Sequence, residues 1–128
     1  MPRVLVADDA PMVEGFMLEA LRSAGIEVAG VARTGKQAVE MFAKVRPDLV
    51  TLDLNMPVMN GREALKEILV LDPTAKVIVV TAMNQPLLRK DLMEAGAKEV
   101  LGKPIRLESL LNTIRDVLML PSGNIAGR

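Results

Sequence analysis

Residues 4–9 read Val4-Leu5-Val6-Ala7-Asp8-Asp9, an apolar run that stops on two carboxylates. The same shape recurs down the chain. Leu49-Val50-Thr51-Leu52 stops on Asp53, Val77-Ile78-Val79-Val80 stops on Thr81, and Val100-Leu101-Gly102 stops on Lys103-Pro104. Short, continuous apolar runs are the mark of strands covered on both faces, as in a parallel sheet. In an open parallel α/β sheet the carboxyl ends of the strands line one crevice, and ligands bind there. The pattern therefore brings Asp8, Asp9, Asp53, Thr81 and Lys103 to one rim, although they are scattered along the whole chain.

Between these runs the apolar spacing becomes helical. After a strand over 3–8, Pro11 opens a helix with Val13, Phe16, Met17, Leu21 and Ala24 on one face, and Gly25 closes it as a left-handed cap. Residues 26–32 alternate more and read as an edge strand. Thr34 and Gln37 fit a capping box for a helix that buries Ala38, Met41, Phe42 and Val45 and stops before Pro47. A strand over 48–53 follows. Asn60 and Glu63 cap the next helix, with Ala64, Leu65, Ile68 and Leu69 inward. Asp72-Pro73 turns into a strand over 76–81, and Pro86 and Gly96 bracket the fourth helix. A strand over 98–102 leads to a last helix with the stripe Leu107, Leu110, Leu111, Ile114, Val117 and Leu118. This is an α/β chain of five βα units. Right-handed crossovers make it a doubly wound (βα)5 sandwich, and the common flavodoxin-like strand order is 2-1-3-4-5. The switch point of that order lies between strands one and three, where the Asp8-Asp9 and Asp53 ends meet. One domain over 1–120 is expected, with 121–128 as a flexible tail.

Composition narrows the function. Sixteen basic and sixteen acidic residues cancel, so no positive field favours direct nucleic acid or membrane binding. The apolar runs fall far short of the roughly 20 residues that span a bilayer, and nothing at the N-terminus resembles a signal peptide, so a cytoplasmic protein is expected. The absence of Cys excludes thiolate chemistry and Cys-type zinc sites. The absence of His removes most general-base and transition-metal designs and leaves carboxylates, which suit hard cations such as Mg²⁺. Phe16 and Phe42 are the only aromatic residues, too few for base or flavin stacking.

Ionised carboxylates about 4 Å apart repel by about 4 kcal/mol at an effective dielectric near 20, and a divalent cation relieves this. Asp9 and Asp53 are read as direct Mg²⁺ ligands, Asp8 as direct or through water, and the Asn55 backbone carbonyl as a further oxygen; Mn²⁺ could substitute. Asp53, between the cation and Lys103, is the best nucleophile, and its attack on phosphorus would give an aspartyl phosphate. Lys103 would neutralise charge on the phosphoryl oxygens and the Thr81 hydroxyl would donate to one of them. Lys103-Pro104 is a candidate cis peptide.

At these positions the chain resembles the CheY-like receiver domains of two-component response regulators. The resemblance covers about residues 3–119 and rests on Asp8-Asp9, Asp53, Asn55-Met56-Pro57 with Met59-Asn60-Gly61, Thr81-Ala82, Ala95-Gly96-Ala97 and Lys103-Pro104. It implies that Asp53 accepts a phosphoryl group from a partner histidine kinase or phosphotransfer protein and loses it by slow Mg²⁺-dependent autodephosphorylation. It also implies that Thr81, Ala82, Val100 and Pro104 relay the state through a face formed by the fourth helix, fifth strand and fifth helix to a downstream protein target, as stand-alone chemotaxis regulators do. A monomer is expected, with dimerisation on activation open. Two positions depart from the family. Val100 stands where an aromatic is common, and Ile105 where Phe often follows the proline.

Three other readings compete. An aspartate-nucleophile phosphatase would carry a second Asp two residues after the nucleophile, where Asn55 stands. A flavodoxin-like FMN carrier would have hydroxyls, not Asp8-Asp9, in its first loop. A degenerate receiver would bind partners without phosphate, a reading that Val100 keeps open and the intact acid–lysine set opposes.

Overall fold

A computed structural model describes residues 2–83 and 85–119, apart from the side chains of 11–14. The inward placement read for Val13 and the tail read for 121–128 lie outside the described residues. The strands are β1 (Arg3–Ala7), β2 (Glu27–Ala32), β3 (Leu49–Asp53), β4 (Val77–Thr81) and β5 (Glu99–Gly102). The helices between and after them are α1 (Pro11–Ser23), α2 (Gly35–Val45), α3 (Gly61–Leu71), α4 (Pro86–Glu94) and α5 (Leu107–Leu118). All strand pairs are parallel, and the order is β2-β1-β3-β4-β5, as expected from the alternation.

Successive strand residues face opposite sides of the sheet. Leu5, Val50, Leu52, Val77 and Val79 pack with Ala38, Phe42, Leu65, Ile68 and Leu92 from α2, α3 and α4. Val4, Val6, Leu49 and Ile78 pack with Met17, Leu21, Leu110 and Ile114 from α1 and α5. Every residue of the central strands β3 and β4 is buried, which is why their sequences show no alternation. Each fully buried Leu or Ile contributes about 1.5–3 kcal/mol by leaving water, so this two-sided core dominates the stability.

Local signals act where they were read. Asn60 and Glu63 form a complete capping box on α3. The Gln37 N–H donates to Thr34 Oγ1 at 3.0 Å, but the Gln37 side chain accepts from Arg33, one residue before the cap. Gly25 takes φ +77, and the Lys103–Pro104 bond is cis. The strands begin or end one residue inside the expected spans. Asp8, for example, leaves β1 and turns into the loop.

Two expectations are corrected. Phe16 is 41% exposed, because the buried stripe of α1 is Met17, Ala20, Leu21 and Ala24, and Phe16 sits at its border. Leu107 is 45% exposed, because α5 first meets the core at Leu110. On α4, Lys90 and Asp91 are exposed, and Arg89 and Asp91 are held by partners. Asp91 accepts two hydrogen bonds from Arg62, and Arg89 binds the backbone of Val100.

Candidate functional site

The site stands on the carboxyl rim of β1, β3 and β5. The register aligns Ala7 with Leu52, so Asp8 and Asp53 emerge side by side. Asp8 is 1% exposed and Asp53 3%, while Asp9 is exposed. One carboxylate oxygen from each of Asp8, Asp9 and Asp53 lies within 4.8 Å of the others. Lys103 Nζ lies 3.2 Å from Asp8 Oδ2 and 3.4 Å from Asp53 Oδ1. Lys103 arrives there because its N–H donates to the Thr81 carbonyl, which fixes the exit of β5 against β4.

The two buried acids are not equivalent. Asp8 Oδ1 accepts from Ala10 N–H at 2.8 Å and its Oδ2 faces Lys103, so both oxygens are engaged. Asp53 Oδ1 accepts from Asn55 N–H at 3.2 Å and faces Lys103, whereas its Oδ2 has no partner among the described residues. Burial, and then the charge of Asp8, push the Asp53 carboxyl above its ordinary value, and Lys103 and the Asn55 N–H only partly oppose this. A crowded carboxylate with one uncommitted oxygen is what a divalent cation would hold and relieve. The donor set is all oxygen, three acids with one cation nearby, and fits Mg²⁺. It is the Asn55 N–H that faces Asp53; a role for its carbonyl belongs to the reading proposed below.

The loop after Asp53 is held by close backbone packing. A Cβ at Gly61 would lie 2.3 Å from the Asp53 carbonyl oxygen, and one at Gly35 would lie 2.0 Å from that of Met59. Gly61 N–H donates to Leu54 O at 2.8 Å, and Lys36 N–H to Val58 O at 3.1 Å. Val58 and Met59 take φ +48 and +84, a left-handed conformation that is strained for a β-branched residue. Gly35 thus fixes the site loop from another helix. Its place after the cap residue Thr34 gave no sign of this, since the contact is long-range.

On the β4 side, Thr81 is fully buried and its Oγ1 accepts from Met83 N–H at 2.9 Å. Ala82 and Pro104 are exposed. Val100 is 4% exposed and its side chain belongs to the core that α4 covers. Met83 and Leu87 are exposed, while Leu88 packs on the core.

Comparison with known proteins gives the family. Residues 4–115 match the model of the response regulator receiver domain, and the chain belongs to that family. It is 41% identical to the chemotaxis protein CheY of Thermotoga maritima, covering 90% of this chain and 96% of that one. It is 40% identical to chemotaxis protein CheY of Bacillus subtilis, over 91% and 97%. Among solved structures, a chain of the CheX-CheY-BeF3-Mg+2 complex from Borrelia burgdorferi superposes with a TM-score of 0.88 and 31% identity, covering 90% of this chain and 87% of that chain. The chain is thus a CheY-like receiver domain of a two-component system. Among the described residues no helix is long and apolar enough to cross a membrane.

Proposed function

We propose that Asp53 is the phosphoacceptor of a Mg²⁺-dependent signalling switch in the cytoplasm. The observation that carries this reading is the meeting of the three acids with Lys103 beside the uncommitted Asp53 Oδ2. An Asp53 oxygen forms a bond to phosphorus while the bond from phosphorus to the imidazole nitrogen of a phosphohistidine on a partner kinase or phosphotransfer protein breaks. Water later attacks the acyl phosphate, releasing inorganic phosphate and restoring the carboxylate. Mg²⁺ held by Asp8, Asp9, Asp53 and the Asn55 carbonyl would screen the acids and the phosphoryl oxygens; Mn²⁺ would serve the same donors. Lys103 stays paired with the phosphoryl group, and the Thr81 O–H, whose oxygen already accepts from Met83 N–H, donates to it. The α4–β5–α5 face then carries the state to a protein target.

Intact mass after incubation with acetyl phosphate and Mg²⁺ tests this. A labile adduct of one phosphoryl group that requires Mg²⁺ and is lost in Asp53→Asn is expected. An adduct that persists in Asp53→Asn, or its absence from the wild type when Mg²⁺ binding is demonstrated separately, would overturn the reading.

A further inference from the structure

β5 is the last strand of the sheet, so one side of its backbone has no strand partner. At Val100 both backbone groups are taken by side chains instead. The Val100 N–H donates to Glu99 Oε1 at 2.9 Å, and the Val100 carbonyl accepts from Arg89 Nη1 at 3.0 Å. Arg89 Nη2 closes the ring by pairing with the same Glu99 oxygen. Burial pushes the Glu99 carboxyl up, but the hydrogen bonds from Arg89 and the Val100 N–H outweigh it and hold the group below its ordinary value. Arg89 lies on α4, so this ring ties α4 to the free edge of β5.

The ring also stands at the end of a chain of contacts from the site. Thr81 Oγ1 accepts from Met83 N–H, so a displacement of the hydroxyl draws on Met83 in the β4–α4 loop. That loop leads into α4 at Pro86, and Arg89 sits on the first turns of that helix. Val100 itself offers no rotating ring. It is β-branched, packed in the core and stiff about χ1.

We propose that the Arg89–Glu99 pair closed over the Val100 backbone is a latch, holding α4 on β5 and setting how readily phosphorylation at Asp53 moves that helix. The proposal rests on the receiver reading above. Movement of Thr81 toward the phosphoryl group pulls on the loop, and the latch resists it. Opening the latch removes that resistance and shifts the balance toward the active arrangement, so a phosphoryl mimic binds more tightly. An edge cover without a coupling role would alter stability and leave that affinity alone.

The test is titration with beryllofluoride and Mg²⁺, followed by amide NMR, on the wild type, Arg89→Met, Glu99→Gln and the double variant. Met keeps the apolar stem and deletes the guanidinium. Each single variant is expected to bind the mimic about twofold to fivefold more tightly, the range set by a part-exposed ion pair, and the double variant no more tightly than either. Equal affinity in all four proteins, or weaker binding in the variants, would overturn the latch while leaving the receiver reading intact. No response from the wild type would overturn the receiver reading and the latch with it. Acetyl phosphate should still modify Asp53 in every variant.

Discussion

The two halves of the carboxyl rim are built differently. On the β1–β3 side, the acids and the loop behind Asp53 are set by backbone packing. Glycines at 35 and 61 admit carbonyl oxygens where any side chain would collide. On the β4–β5 side, the link from the strands to α4 depends on side chains. A threonine hydroxyl, an arginine and a glutamate span from Thr81 to Val100, and Met83 and Leu87 stand exposed beside them. Close-packed backbone has one arrangement, whereas polar links between a helix and a strand edge can open at modest cost. In the proposed function, the phosphoacceptor would sit on the half held by backbone packing, and the signal would leave through the half held by side chains.

The sharpest way to break this contrast is at Gly61. Gly61→Ala places a methyl group against the Asp53 carbonyl and Leu54 Cα, which are main chain and cannot swing away. A loss of about 2–3 kcal/mol in urea unfolding is expected, together with slower phosphorylation, since the acceptor itself shifts. A variant with wild-type stability and adduct rate would show that the β3–α3 loop yields as easily as the other half.

Lys103 joins the two halves, since it leaves β5 and ends between Asp8 and Asp53. Lys103→Met strands two buried carboxylates without a cation. A loss of about 2 kcal/mol at neutral pH is expected, below the range for fully enclosed pairs because the Lys103 side chain is 19% exposed. Millimolar Mg²⁺ should restore most of that stability. Loss that Mg²⁺ does not restore would mean that Lys103 packs the rim instead of balancing its charge.

Asp53 provides a pH test of the rigid half. Its folded-state pKa is raised above the ordinary 3.8, by burial first and by Asp8 second, so folding favours the protonated acid. The stability contribution is therefore full below 3.8 and is lost as pH rises through the raised folded value. Asp53→Asn is expected to be more stable than the wild type at neutral pH without Mg²⁺, with the difference shrinking on acidification. Adding Mg²⁺ should stabilise the wild type and leave the variant nearly unchanged. Urea midpoints across that pH range give the comparison, and a variant less stable than the wild type at neutral pH would contradict the assigned strain.

The same division governs what could be read from the chain. Strand order and the meeting of Asp8, Asp9, Asp53 and Lys103 were legible because short apolar runs with polar ends have one reading in a parallel sheet. The Asn60–Glu63 cap was legible because its partners are three residues apart. Gly35, Arg89 and Glu99 were not. The first works through a carbonyl delivered from another loop, and the other two meet only after α4 folds onto β5, so no local spacing announces them. Phe16 and Leu107 misled for a related reason: periodicity gives a helix's apolar face, while packing onto the sheet decides how much of that face is covered.

Thr51 gives the smallest effect and the cleanest isolation of the rigid half. It lies on β3 in register with Val6 and Ile78, on the same side of the strand as Leu49 and Asp53, and is 1% exposed. Its Oγ1 is fully enclosed and has no hydrogen-bond partner among the described residues. A buried hydroxyl that has lost its water and gained no partner is a net cost, and valine has nearly the same shape. Thr51→Val should therefore stabilise the fold by about 0.5–1 kcal/mol. Because β3 is already fixed by its packing, the gain should come without any change in the rate of adduct formation at Asp53 or in beryllofluoride affinity. A loss of stability would show that the hydroxyl does find a partner. A gain accompanied by slower phosphorylation would show that the packing beneath Asp53 has slack that the threonine takes up, and the contrast between the two halves would then be one of degree.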